Sequence, residues 1–440
     1  MKLVSAKERT LVITEEGPIH APFSLYLNME LDSPHTRASV ATGLRLLDLF
    51  IRAFGVNLEE RALDGKCLTE VEKQALQQMA YRHINDIERM SLPMVKRFLK
   101  TTSDLAPRDR VGAVEPNTAA QRLRHIAGFL EWYARVIIEP GMPLGSPTTD
   151  ALRRSYESCC QWLKTAIGGT KASHPHSIRS APKESFLAIY RQVYLEPEAV
   201  FLAPSGKPSA TLTRDRAIVL LAAEGVRPGA IGNVQLADFK WSGGRAGGYL
   251  RIKDNIAKRG TRITPATPTQ KGIRSKQRYN SDITIKLWPT TCAALQEYVD
   301  GEREAVIGKT MKNPSKGFFF IGEHGGPIAS RATLAAVFKR AECGLLPLGL
   351  LARAPTDPYL EGERYDFVAY LMRHSAASLF YEVNADKPDA TSLMEDRFGW
   401  NVGSTMPALY ARRGISDRAS VDLMEFLDSL IEARKKKEGA

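Results

Sequence analysis

The chain has 440 residues, 43% of them apolar, enough for two or more cores, so two or three domains are expected. Lysine and arginine number 61 against 49 acids, a net charge of +12 with a pI near 9.4. That sign of excess suits a polyanion, because Lys and Arg displace counterions from phosphates whatever the base sequence. The five cysteines (Cys67, Cys159, Cys160, Cys292 and Cys343) form no CxxC pair and no zinc ladder, which fits a reducing compartment. With no apolar leader and no run of eighteen apolar residues, a soluble cytoplasmic protein is expected.

In chain order, residues 1–30 alternate weakly through LVIT and FSLYLNME and predict one or two short strands or an arm. Residues 31–168 predict a helical bundle. SPHTRASVATGLRLLDLFIRAFG and LTEVEKQALQQMAYRHI open on capping residues, EPNTAAQRLRHIAGFLEWYARVI follows, and SPTTDALRRSYESCCQWLKTAIGG ends on a Gly-Gly stop. Residues 169–183, TKASHPHSIRSAPKE, are polar, basic and aperiodic, and predict a linker. The rest is mixed. Helix TRDRAIVLLAAEGV precedes strands GGYLRIK and SDITIKLW, which are split by a Thr/Pro/Lys-rich stretch at 259–280 that predicts a mobile loop. Helices return at TCAALQEYVDGEREAVI, SRATLAAVFKRAE, FVAYLMRHSAASLFYE and the end.

The chain lacks a Walker-type phosphate loop, HExxH, GxSxG and a carboxylate cluster with metal geometry, and its eight histidines are dispersed. The chemistry is therefore expected to need no cofactor and no metal. In LLAAEGVRPGAIGNVQLADF, 220–239, an apolar helix ends at Gly225 and Arg227 sits in a Pro/Gly turn, where it can point into a cleft. Taken singly, such an arginine lays its stem on the surface with its head in water. In AYLMRHSAASLFYE, 369–382, Tyr370, Arg373, His374 and Ala377 share one helical face, while Leu371, Met372 and Leu379 lie elsewhere and can seat the helix. Taken singly, that face reads as a satisfied buried histidine and a salt-bridged arginine. In FGWNVGSTMPALYARRG, 398–414, Trp400 offers one N–H donor and Tyr410 a hydroxyl able to attack phosphorus. A free phenol titrates at about 10, so such a nucleophile needs a positive surround. Two arginines, a lysine and an indole N–H on one phosphate would supply it, and would stabilise a pentacoordinate phosphoryl transition state.

Taken in order, GVR at 225–227, YLMRH at 370–374, FGW at 398–400 and LYARR at 409–413 resemble the tyrosine recombinases, the phage-integrase family. That family carries an arginine in a GxR turn, HxxR on a helix, GH or GW, and a tyrosine about ten residues later. The likeness spans roughly 184–434; the N-terminal half resembles the family's core-binding domain only in architecture. The resemblance implies that Arg227 and Arg373 clamp the phosphate and that Trp400 donates a hydrogen bond to it. Tyr410 would form a 3′-phosphotyrosyl link and free a 5′-hydroxyl, without ATP or metal.

Two departures stand out. Tyr370 occupies the family's histidine position, and a phenol is a poor general base near neutrality, so the Tyr410 proton would pass to water or His374. The family's lysine, which protonates the leaving oxygen, lies in a β-hairpin. Lys276 falls at the usual place counted back from the second strand and Lys258 counted forward from the first; Lys276 is taken here. Arg259, Arg262, Lys271 and Arg274 in the same insertion are expected to contact phosphates nonspecifically or to be solvated. In the tail, Ser416 or Asp417 can cap a helix with an apolar stripe at Val421, Met424, Leu427 and Leu430 or Ile431. It either packs on its own domain or, as the resemblance implies, docks on a neighbouring protomer.

The expected fold is thus an α-helical N-terminal bundle plus a mixed α/β catalytic domain of tyrosine-recombinase type, mainly α with a small antiparallel sheet. Its expected parts are an arm at 1–30, a DNA-binding helical domain at 31–168, the linker, and a catalytic domain at 184–434 with an exchange helix at 416–434. The expected function is site-specific recombination by an integrase or transposase of a mobile element, associated with the nucleoid. Its partners would be double-stranded DNA, three further copies in a homotetramer, and possible accessory recombinases or a directionality factor. Alternatives are a type IB topoisomerase-like enzyme and an inactive DNA-binding accessory protein of the same fold.

Overall fold

The computed structural model describes residues 2–6, 9–14, 17–31, 34–101, 113–143, 145–167, 179–203, 205–259, 264, 266–268, 282–309, 315–353, 357, 359 and 362–418. The chain divides into two compact units, Met1–Pro175 and His176–Ala440. Both are mainly helical. Among the described residues no helix is long and apolar enough to cross a membrane.

The first unit opens on an antiparallel hairpin, β1 (Lys2–Ala6) and β2 (Arg9–Ile13), paired from Lys2↔Ile13 to Ala6↔Arg9. Helices α1 (Ala21–Met29), α2 (Pro34–Phe54), α3 (Leu58–Leu63), α4 (Glu70–Ala80), α5 (Ile84–Glu88), α6 (Leu92–Thr101), α7 (Pro116–Trp132) and α8 (Pro147–Thr165) follow. The residues FSLYLNME, predicted as strand, lie in α1: Phe23, Tyr26 and Leu27 are buried at helical spacing while Leu25 is exposed. The caps read from sequence form. Thr69 and Glu72 make a reciprocal capping box on α4, and Ser146 accepts from Thr149 N at 3.2 Å to start α8. Leu44, Leu47 and Phe50 of α2 meet Leu123, Phe129 and Leu130 of α7 and Leu152 and Leu163 of α8 in one core.

The second unit is built around α11 (Leu212–Ala223), every residue of which from Arg214 to Ala223 is buried. Before it come α9 (Lys183–Leu195) and α10 (Pro197–Val200); after it come α12 (Pro228–Ile231) and a three-stranded antiparallel sheet, β3 (Phe239–Lys240), β4 (Tyr249–Ile252) and β5 (Ile283–Lys286). Alternation along β4 and β5 turns Leu250, Ile252, Ile283 and Ile285 inward. Helices α13 (Pro289–Tyr298), α14 (Glu304–Gly308), α15 (Arg331–Leu345), α16 (Ala369–Asn384), α17 (Ala390–Phe398) and α18 (Met406–Tyr410) complete the unit. A buried carboxylate ties α11 to α15: Asp215 accepts from Arg214 at 2.9 Å and from Arg340 at 2.5 Å.

Three sequence expectations change here. The linker predicted at 169–183 does not run to its end, because Ser180 and Ala181 are buried in the second unit, Ala181 N donating to Ser375 Oγ at 2.9 Å, and α9 already starts at Lys183. Residues 412–418 are helical, so Ser416 and Asp417 lie inside a helix instead of capping one; the rest of the predicted exchange helix lies outside the described residues. Arg259, expected to meet phosphates or water, is buried. Its Nε donates to Asn233 Oδ1 at 2.8 Å, its Nη1 to the Ile328 carbonyl at 2.7 Å and its Nη2 to the Gly232 carbonyl, over the Phe318 ring. Three acceptors that a fold must satisfy outweigh the hydration of one guanidinium. Of the stretch predicted as a mobile loop, Thr267 is buried and the Pro268 carbonyl accepts from Asn233 Nδ2 at 2.7 Å; Arg262, Lys271, Arg274 and Lys276 lie outside the described residues. Arg259→Ala leaves those acceptors unmet and is expected to destabilise the second unit by about 2–4 kcal/mol, read as a lower urea midpoint.

Candidate active site

The site is assembled from three turns around one buried arginine. Helix α11 stops at Gly225, whose φ of +88° suits glycine. A Cβ there would also stand 2.3 Å from Phe398 Cε1, so no other residue lets the ring close over this turn. Two residues on, Arg227 in extended conformation caps α12, and Pro228 fixes the helix start. From across the unit, α17 ends at Gly399 in left-handed conformation, which turns the chain so that Trp400 folds inward with 3% exposure. Helix α18 then brings Tyr410 back against α16, where Ser378 Oγ donates to the Tyr410 carbonyl at 3.2 Å.

Arg373 of α16 lies at the centre, 2% exposed. Its Nη1 donates to the Gly225 carbonyl and its Nη2 to the Phe398 carbonyl at 2.7 Å. Its guanidinium stands 5.5 Å from the Phe398 and Trp400 rings and 5.4 Å from the Tyr410 ring, within cation–π range. Arg227 Nη1 reaches the next carbonyl, Gly399, at 3.4 Å. The two guanidiniums thus sit on consecutive carbonyls of one turn. Burial first, and then the charge of Arg227, pull Arg373 down to about 9; the Tyr410 and Tyr370 phenols oppose that shift. Among the described residues no carboxylate pairs with Arg373, and its buried Nε has no hydrogen-bond partner there.

No protein-family model matches this chain, and no curated protein matches it either.

Arg227, Arg373, Trp400 and Tyr410, drawn from segments up to 183 residues apart in the chain, converge. The Trp400 and Tyr410 rings are 4.9 Å apart. Tyr370 is 46% exposed, at the rim of a cavity of about 310 Å³ walled also by Arg227, Phe338 and Val368. Lys258 Nζ donates to Gln235 Oε1 at 2.6 Å, a neutral acceptor that leaves the ammonium charged. Lys276 lies outside the described residues. Among the described residues no three His, Cys, Asp or Glu side chains converge to hold a metal ion.

His374 was expected as one acceptor for the Tyr410 proton. The two rings are stacked, 3.9 Å between centroids and 5° between planes. An imidazole lone pair lies in its ring plane, so in this stack it runs parallel to the phenol and cannot point at the phenolic oxygen. His374 is a platform for the tyrosine. Burial, then the charges of Arg179 and Arg373, push His374 down to about 4. The folded value lies below the ordinary one, so the neutral ring is favoured in the native state. Its contribution to stability is complete above about pH 6.5 and is lost as pH falls towards 4, about 3 kcal/mol in all. Denaturant midpoints measured across that window should fall in the wild type and lose most of that slope in His374→Gln.

Proposed function

We propose that the second unit is a DNA strand transferase acting through Tyr410, as in site-specific recombination by a tyrosine recombinase. The observation that carries this reading is Arg373. A guanidinium that is 2% exposed, beside a second one and with no carboxylate counterion among the described residues, is a costly arrangement unless an anion completes it. The Gly225 and Phe398 carbonyls that accept from it hold the fork in place without neutralising it. A phosphodiester seated there meets two guanidiniums and has a phenol in contact with the same arginine.

In this reading the Tyr410 oxygen attacks phosphorus, the phosphorus–O5′ bond breaks, and the phenolic proton leaves to water. The arginines and the Trp400 indole stabilise the charge on the non-bridging oxygens. The released 5′-oxygen takes a proton, a role the family resemblance gives to Lys276. Attack by another 5′-hydroxyl reverses the sequence with no net change in bond type, so no nucleotide is consumed. The net charge of +12 supports duplex DNA as the substrate. A homotetramer on two DNA sites, with the tail at 416–434 passed between copies, belongs to the same proposal. The open apolar groove of about 610 Å³ walled by Leu287, Leu379, Phe380, Val383 and Phe398 is where a neighbour's stripe of Val421, Met424 and Leu427 would lie.

The test uses end-labelled nicked duplexes of random sequence, incubated with the full chain and run on a denaturing gel. A protein-linked DNA band is expected with the wild type and none with Tyr410→Phe. Arg373→Ala is expected to lower the yield by at least about 100-fold. No band with the wild type, or a band that survives Tyr410→Phe, ends the proposal. Duplexes recovered from the band then serve on plasmids, where recombinant circles indicate recombination and relaxed circles alone a topoisomerase.

A further inference from the structure

Between the first two turns of α15, the first turn of α16 and the Arg227 turn lies the concave space of about 310 Å³. Its floor is apolar and fixed: Leu334 and Phe338 of α15 are buried, and the Phe338 ring rests against Phe367, 5.8 Å between centroids. Its rim is apolar but wet, with Val368 48% and Tyr370 46% exposed. The polar side chains of its wall are few: Arg227, Arg331 and Tyr370. An apolar body with a small number of polar groups is the build of a site for a planar small group, and the volume is at the small end of the usual range of about 300–1,000 Å³.

The occupant follows from what the wall shares with the phosphate site. Arg227 belongs to both, and the Tyr370 phenol is close enough to Arg373 to act on its charge. A nucleotide whose phosphate sits on those arginines therefore has its own base at the mouth of this space. Within a duplex both faces of that base are covered by its neighbours, and only an edge is on offer; an apolar hollow rewards a face. We propose that the base flanking the attacked phosphate leaves the duplex and enters this space, stacking on the Tyr370 ring above Leu334 and Phe338, with Arg331 donating to its polar edge. This rests on the reading of Arg227 and Arg373 as the phosphate site. It gives Tyr370 a task that suits its chemistry, since a phenol is a poor base near neutrality but a good stacking face.

The experiment takes the full-length Tyr410→Phe chain, which binds without cutting, and the duplexes recovered with the wild type, whose cut position the protein-linked band reports. For each nucleotide flanking the cut, two altered duplexes are made. One lacks the opposite base, and the other lacks the flanking base itself. Both interrupt the same base pair, but only the first leaves a base free to turn out. At one of the two positions the first duplex is expected to bind at least about tenfold more tightly than the second. Adding Ala335→Trp, on the exposed side of the space, fills it and is expected to bring both duplexes to the lower affinity. Equal binding of the two duplexes at both positions, or a difference that survives Ala335→Trp, overturns the inference and leaves the phosphate site as proposed. Absence of a protein-linked band with the wild type overturns instead the reading on which it rests. Should the Ala335→Trp chain not fold, the comparison of the two duplexes alone decides.

Discussion

Everything at this site depends on one buried guanidinium, Arg373, with which no carboxylate among the described residues pairs. Arg373 is buried among three aromatic rings and two carbonyls, and the charge of Arg227 beside it disfavours its charged form further. Carbonyl oxygens aim the fork and the rings exclude water, so the guanidinium needs no rearrangement to receive an oxyanion. The local geometry follows from that requirement. Gly225 lets Phe398 close over the turn, Gly399 reverses the chain behind it, and the stacked His374 keeps the phenol flat against α16. His374 is kept neutral first by burial and then by the charges of Arg179 and Arg373.

Much of the fold was legible because its cues are local. A threonine three residues before a glutamate, or serine-proline ahead of an apolar stripe, fixes a helix start whatever surrounds it. Strand alternation at Leu250, Ile252, Ile283 and Ile285 is equally local. The misreading of 23–30 has a physical cause: apolar residues at 23, 25 and 27 fit a period of two, and only packing shows that Leu25 faces out. The two stretches expected to be loose, the linker's end and the start of the insertion, were judged by polarity. Polarity does not report whether a buried group elsewhere needs a partner: Arg259 supplies donors to two carbonyls, and Ser180 supplies acceptors to Arg413 Nε and the Ser378 hydroxyl.

At the site, the four segments were readable because each carries a distinctive residue at a fixed interval from the next. What escaped was what holds them. In LYARRG both arginines look alike, and only the helical turn puts Arg413 inward. Its partner Asp357 stands alone in an irregular loop, and Glu224, whose carboxylate accepts from Arg397 at 2.6 Å, stands beside the GVR turn with no periodic mark. A carboxylate recruited from a loop to hold a helix from elsewhere has no signature along the chain, since its meaning lies in a pairing across 56 positions.

Ser180, which accepts from Arg413 Nε and receives the Ser378 hydroxyl at 3.2 Å, stands near the start of the second unit. The start of the unit and the turn that carries Tyr410 are therefore joined by hydrogen bonds through Ser378 and Arg413. Mechanical tension applied to the peptide upstream would be borne first by those bonds and would reach the tyrosine's helical turn before the sheet or the central helix. A disturbance of the segment that opens the unit therefore reaches the Tyr410 turn through two side chains, Arg413 and Ser378.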